Sequence, residues 1–242
     1  ATVQQSACTD TAESNGLLMM RTNYDSARHV LKYATERRVP LVYASSASVY
    51  GAGREFRVSE ECERPINVYA FSKLMFDRHV RQVSGTFRSP VVGLRYFNVY
   101  GPGEAHKGGM ASVIHHFREQ LKSGDEIRLF TGSDGYGDGE QVRDFIHVDD
   151  IVAVNLWAWR QAAKSGIYNL GTGQARSFND VARAVLKWHG RGRIQYVPFP
   201  GHLVGSYQSY TQADLAGLRA AGYEGAFIPI EEGVPRYLAA IA

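Results

Sequence analysis

Tyr69 and Lys73 stand four residues apart in a stretch whose apolar spacing predicts a helix, so both side chains leave one face, a turn apart. A phenol and an ammonium placed that way can form a proton-transfer pair. A tyrosine with a reference pKa of about 10 is a poor base at neutral pH, and lowering it by roughly three units takes about 4 kcal/mol of preferential phenolate stabilisation. A nearby lysine cation supplies stabilisation of that kind. With 14 Tyr and six Lys in the chain, chance alone supplies roughly 0.35 such pairs, and a solvent-facing pair is the plainer account of the spacing by itself. Ser45 and Ser46 change the balance, because they end a short apolar segment, 41–44, that reads as a buried strand. In open parallel sheets ligands bind beyond the carboxyl ends of strands, so a serine there and the following helix can converge on one substrate oxygen. The hydroxyl would orient a substrate alcohol and hydrogen-bond its oxygen as the oxygen changes character.

The elements needed to hold such a site are readable along most of the chain. Strand-like and helix-like segments alternate, as they do when helical crossovers join parallel strands. Residues 26–38 predict a helix stopped by Pro40, and 41–44 a strand. Residues 69–83 predict a helix with Phe71, Met75, Phe76 and Val80 as its apolar stripe, and 90–96 a second strand. Two glycine-rich excursions follow, at 101–109 and 132–139, around a helix at 111–122 and strands at 127–130 and 142–147. A helix at 150–163 and a strand at 166–170 resume the alternation, and helices are expected at 178–188, 212–221 and 230–241. The fold class is α/β, with a partial doubly wound parallel sheet formed by residues 1–99 and 144–171. A smaller substrate lobe is expected from 100–143 and 172–242.

Composition narrows the function. The 242 residues carry 27 Lys plus Arg against 24 Asp plus Glu, a net charge of +3, with the signs interspersed. No nucleic-acid footprint is implied, though a local basic pocket for an anionic ligand is compatible with this balance. No apolar run is long enough to span a bilayer, Cys8 and Cys62 are too few for a disulfide framework or a zinc site, and residues 1–10 do not resemble a signal peptide. A cytoplasmic protein without membrane or nucleic-acid partners is expected. There is no Gly-x-Ser-x-Gly elbow and no zinc-protease motif. His115 and His116 should diverge as helix neighbours, and Asp134, Asp138 and Glu140 do not match an EF-hand, so no metal is expected.

Longer motifs sharpen the picture. Tyr43-Ala44-Ser45-Ser46 and Asn67-Val68-Tyr69-Ala70-Phe71-Ser72-Lys73 resemble segments of the extended short-chain dehydrogenase/reductase family. So do the runs from Arg95 to Pro102, Arg143 to Asp150, and Asn169 to Gly173. The run from Gly103 to Ser112, and Tyr207-Gln208 with the stretch from Thr211 to Leu215, are most similar to the branch of that family that epimerises ADP-heptose at C6. The likeness covers nearly the whole chain.

The resemblance implies a Rossmann-like core that binds NADP, with NAD as an alternative, and a redox epimerisation. Hydride would leave C6 of ADP-D-glycero-D-manno-heptose and return to the opposite face, supplying heptose for lipopolysaccharide core. It assigns acid/base roles to Tyr69 and Lys107, assistance to Ser46, and to Lys73 the holding of the nicotinamide ribose and the tuning of the tyrosine, aided by the nicotinamide's positive charge. Ala7, Cys8, Asn23, Val99 and Lys107 fall at cofactor positions. Ser46, Asn98, Gly109, His116, Phe130, Thr131, Gly132, Ser133, Arg143 and Tyr207 fall at substrate positions, Gly109 replacing a serine of the family. Arg143 offers a fork of donors suited to a diphosphate, and Phe130 and Tyr207 could flank an adenine. The plainer expectation for Arg143 is a surface ion pair with Asp144, and for Phe130 ordinary packing. A homo-oligomeric ring is implied in the same way.

A dinucleotide-binding half ordinarily opens with a strand, a glycine-rich turn and a helix, and the sequence contains no such turn. The expectation is a chain that begins part-way through a longer product. Alternatively, another polypeptide supplies the missing strands, or the protein is degenerate. The 242 residues alone would then bind NADP poorly for want of the N–H groups that cradle its diphosphate. A related 4-epimerase or 4,6-dehydratase, and a non-catalytic nucleotide-sugar-binding module, are the competing readings. Against the module stands the joint presence of Ser46, Tyr69, Lys73 and Lys107.

Overall fold

Residues 41–46 and 91–96 are buried along nearly their whole length, as strands covered on both faces must be. In the computed structural model, which describes residues 2–161, 164–201 and 207–242, both lie at the centre of a parallel sheet. In chain order the first elements are β1 (Thr2–Gln4), α1 (Gly16–Met19), α2 (Ser26–Arg37), β2 (Leu41–Ser46), α3 (Val68–Val83), β3 (Val91–Tyr96) and β4 (Asn98–Tyr100). Then come α4 (Val113–Ser123), β5 (Glu126–Phe130), β6 (Val142–His147), α5 (Val148–Arg160), β7 (Gly166–Leu170), β8 (Ala175–Ser177), α6 (Phe178–His189), β9 (Arg193–Val197), α7 (Ala216–Ala220) and α8 (Ile230–Ala240). Among the described residues no helix is long and apolar enough to cross a membrane.

The chain divides into two compact units. The first, residues 1–97, 151–170 and 214–225, is built on the parallel sheet β1-β2-β3-β7. Its register sets Leu41 beside Val91 and Ser46 beside Tyr96, so β2 and β3 end together. Gly93 on β3 has a steric reason: a Cβ there would come within 2.4 Å of the Tyr43 ring. Asn67 caps α3 by accepting a hydrogen bond from Ala70 N at 2.8 Å. The buried face of α3 differs from the expected stripe. Phe71 is 45% exposed, whereas Lys73 and Asp77 lie buried among Ala70, Leu74, Phe76 and Val80. A pattern read from apolar residues alone assigns such polar positions to the wrong face.

The second unit, residues 98–150, 171–213 and 226–242, holds two small sheets, β4-β6-β8 and β5-β9. Its core packs Ile114, Leu121, Ile127, Phe145, Val185 and Val234. A capping box between Ser177 and Asp180 starts α6.

Most element types follow the expected alternation. Four strands were not anticipated: β1, β4 and β8, whose three residues each are too short for a period-two signal, and β9, which has five. The helix expected at 212–221 is only α7, because the chain ahead of it is bonded elsewhere. Thr211 N donates to Val142 O at 3.2 Å, and Ala213 N donates to Asp144 at 2.9 Å.

Candidate active site

In the first unit, three α3 residues spaced by four meet successive residues of β2. Ser46, the last residue of β2, caps the short 3-10 turn Ala47–Tyr50, and its Oγ lies 2.6 Å from Ser48 Oγ. The Tyr69 phenol lies near the Ser46 hydroxyl, which favours the phenol's ionised form. Lys73 is 5% exposed and its Nζ donates to Ala44 O at 3.1 Å. Asp77 accepts from Tyr43 Oη at 3.0 Å and Ser45 Oγ at 2.9 Å. The serine, tyrosine and lysine expected to converge are therefore brought together by the end of one strand and the next helix.

The electrostatics depart from expectation at the tyrosine. Burial raises the Tyr69 phenol above its ordinary value, the nearby Ser46 hydroxyl pulls it down, and Cys8 adds to the rise. Lys73, whose ammonium is directed at the Ala44 carbonyl, does not produce the expected lowering. Lys73 itself is pushed down to about 8 by burial, with Asp77 acting in the opposite sense.

Of the positions expected to meet a cofactor, Asn23 is 2% exposed in the π-helical turn Met20–Asp25. Its Oδ1 accepts from Cys8 N at 2.8 Å, and its Nδ2 donates to Cys8 O and to Ser72 Oγ, each at 3.0 Å. Its amide therefore ties the Ala7–Cys8 loop to α3 beside Lys73. An ammonium carries three donors and Ala44 takes one, so Lys73 can still donate to a ribose diol. With Ser46 and Tyr69 at the same strand end, this donor set fits the nicotinamide-ribose end of a dinucleotide.

The remaining positions lie in the second unit. Lys107 is exposed and, with Val99, Glu104 and Val148, lines a cavity of about 180 Å³. Glu104, which sequence reasoning missed, organises this loop: it accepts from Ser112 N at 2.5 Å and Ser112 Oγ at 2.7 Å. Gly109 is exposed in the same loop, and Asn98 Oδ1 accepts from Thr211 at 3.4 Å. His116 does not diverge fully from His115, since the rings meet edge to face at 5.9 Å. Among the described residues no cluster suited to a metal ion exists.

Phe130 ends β5. Thr131 Oγ1 accepts from Phe199 N at 3.1 Å, Gly132 N donates to Asp138 at 2.8 Å, and Ser133 Oγ accepts from Gln141 at 3.1 Å. Asp134 and Glu140 are likewise bonded, to Ser209 and Asn179, so these acids staple the loop. Phe199, also missed, packs edge to face against Phe130 at 5.6 Å and Tyr207 at 5.3 Å. The Arg143 guanidinium lies 4.7 Å from the Tyr207 ring centre and 5.7 Å from that of Phe178.

The expected surface pair of Arg143 with Asp144 does not form. Arg143 is 6% exposed. Asp144, wholly buried, accepts instead from Thr172 N and Oγ1, each at 2.7 Å, and from Gly173 N and Ala213 N at 2.9 Å. Alternate residues of a strand face opposite ways, which separates the two side chains. Burial lowers Arg143, opposed by Tyr207, and raises Tyr207, opposed by Arg143. A buried cation held by ring faces with no carboxylate is suited to receiving an anion.

The chain is similar in sequence and fold to proteins of known family. Residues 2–171 match the NAD dependent epimerase/dehydratase family. The ADP-L-glycero-D-manno-heptose-6-epimerase of Alkalilimnicola ehrlichii is 56% identical over 236 residues, 98% of this chain and 74% of that protein. The crystal structure of the Helicobacter pylori ADP-L-glycero-D-manno-heptose-6-epimerase is 34% identical with a TM-score of 0.87, covering 99% of this chain and 71% of its own. The UDP-glucose 4-epimerase of Thermus thermophilus, solved in complex with NAD, is 26% identical with a TM-score of 0.79, covering 98% and 76%.

Proposed function

The chain belongs to the NAD dependent epimerase/dehydratase family, and from that premise we propose that it interconverts ADP-D-glycero-D-manno-heptose and ADP-L-glycero-D-manno-heptose by inverting C6. The observation that carries the reading is the buried Lys73, one helical turn from Tyr69 and bonded to the Ala44 carbonyl near the end of the strand that carries Ser46, in a chain 56% identical to a heptose epimerase.

A bound dinucleotide would supply the hydride acceptor and donor. The chain's own residues handle the proton and the orientation. Tyr69 Oη takes the proton of the C6 alcohol and returns it, and Ser46 Oγ hydrogen-bonds the same oxygen as it passes between alcohol and carbonyl. Because burial holds the Tyr69 phenol high, the phenol has to release its own proton before it can take that of the C6 alcohol, and once it holds that proton it is poised to return it to the carbonyl oxygen. Lys73 would hold the ribose of that dinucleotide. Lys107 is assigned the second acid/base role, and Arg143 the diphosphate, with Phe130, Phe199 and Tyr207 offering ring faces for the base. The same reading takes NADP as the dinucleotide, a homo-oligomeric assembly in the cytoplasm, and lipopolysaccharide core as the destination of the product.

The test is product analysis after incubating the protein and NADP with ADP-D-glycero-D-manno-heptose. Both C6 epimers should accumulate to a fixed ratio from either starting epimer. Conversion of UDP-glucose to UDP-galactose, with the heptose substrate untouched, would contradict the assignment.

A further inference from the structure

The buried polar cluster beneath Ser46 and Lys73 is not used by the chemistry above. Asp77, fully buried, accepts from Tyr43 and Ser45 on β2 and from Arg95 Nε on β3 at 2.9 Å. Arg95, also fully buried, reaches Glu63 with its Nη2 at 2.5 Å and stacks 5.0 Å from the Tyr50 ring centre. Glu63 in turn receives both Arg81 nitrogens, at 2.9 and 2.5 Å.

Several features give this cluster a direction. Of three α3 residues at intervals of four, Tyr69 lies near Ser46, while Lys73 and Asp77 are bonded to β2 through the Ala44 carbonyl and through Ser45 with Tyr43. Asp77 is the deepest of these attachments, and it is bonded to both central strands at once. Its charge lies one helical turn from Lys73, whose other polar contact is a neutral carbonyl. Arg95 also has a second acid, Glu63, in contact with it.

We propose that Asp77 is a positioning residue for the reaction: it pins α3 against β2 so that Ser46, Tyr69 and Lys73 share one site, and it keeps Lys73 in the ammonium form. The charged and titratable groups around this stretch are Tyr69 on α3, Tyr43 on β2, Arg95 on β3, Glu63 before α3, Arg81 beyond it, and Cys8 beside Tyr69. Among them Asp77 is the acid that acts on Lys73. The proposal rests on the epimerase reading for its catalytic consequence but not for its electrostatic one.

The test uses the full chain labelled at lysine Cε and titrated by NMR. There are six lysines, and the Lys73 signal is assigned by its loss in Lys73→Arg. In Asp77→Asn the Lys73 midpoint should fall by about one unit or more, the size expected for removing a close opposite charge. In Glu63→Gln, on the far side of Arg95, it should stay within a few tenths of a unit. An unmoved midpoint in folded Asp77→Asn would overturn the proposal, whatever the activity. Asp77→Glu keeps the charge and displaces the carboxylate by one methylene, so it tests placement even where Asp77→Asn does not fold. It should hold the Lys73 midpoint and lower kcat about tenfold with KM within twofold, and native turnover in Asp77→Glu would overturn the positioning role. A native chain inactive on ADP-heptose would count against the epimerase reading alone, with the NMR titration still deciding the link from Asp77 to Lys73.

Discussion

Arg95 in the first unit and Arg143 in the second are both almost wholly buried on strands, yet they are satisfied in opposite ways. Arg95 meets two carboxylates, Asp77 and Glu63, which raise it further although burial works against the charge. Arg143 meets a main-chain carbonyl at 3.0 Å and two aromatic faces, and burial lowers it. A buried cation with its counter-charges built in is part of the framework. One whose counter-charge the protein leaves out is suited to an anionic ligand, and the diphosphate of a sugar nucleotide is the one proposed for Arg143.

The contrast can be broken by substitution. Arg95→Met leaves Asp77 and Glu63 buried without their shared cation and should cost about 3–5 kcal/mol of stability, read by urea unfolding. A loss below about 1 kcal/mol would mean that the pair of acids is neutral or solvated after all.

Lys73 offers a pH-dependent test in the same unit. Its folded pKa, about 8, lies below the ordinary lysine value of about 10.4, so the unfolded chain holds more protons between those values. Stability should therefore rise with pH through that window, by up to about 3 kcal/mol from this group. Lys73→Met should flatten that rise. An identical pH dependence in native chain and variant would contradict the burial of the charge.

Arg143→Met should do the reverse of Arg95→Met. Stability should stay within about 1 kcal/mol, because no carboxylate is orphaned, while affinity for ADP falls by about 1.5–3 kcal/mol, the size of hydrogen bonds to a charged group. Calorimetric titration measures the second quantity. Unchanged ADP affinity together with a large stability loss would make Arg143 a framework residue like Arg95.

How far the sequence reaches is also visible in these residues. The Tyr69 and Lys73 spacing and the serines at the end of β2 were legible, because helix and strand periods fix which side chains can meet. Asp77 continues the same interval of four and was readable on that ground, but a hydrophobic-stripe reading passes over an acid on a buried face. The fate of Arg95 was not legible at all, and that of Arg143 only through the resemblance that set it at a substrate position, since each is an arginine in an apolar strand. Which of them finds a carboxylate depends on non-local contacts: Asp77 is 18 residues from Arg95, and Tyr207, the ring beneath Arg143, comes from a distant segment. The short strands β4, β8 and β9 escaped for a similar reason, being defined by their partners more than by their own pattern. Asp144, adjacent to Arg143 in sequence, was the obvious partner and the wrong one, because strand alternation sends it to the loop amides of Thr172, Gly173 and Ala213.

The proposed role of the Tyr69 phenol, to move the substrate proton, is the part of the mechanism on which the rest depends. Conversion of ADP-D-glycero-D-manno-heptose should be compared between the native chain and Tyr69→Phe, which keeps the ring and removes the hydroxyl. The expected result is a fall in kcat of about 10²–10⁴-fold with the fold intact, and turnover within a few-fold of native would contradict it.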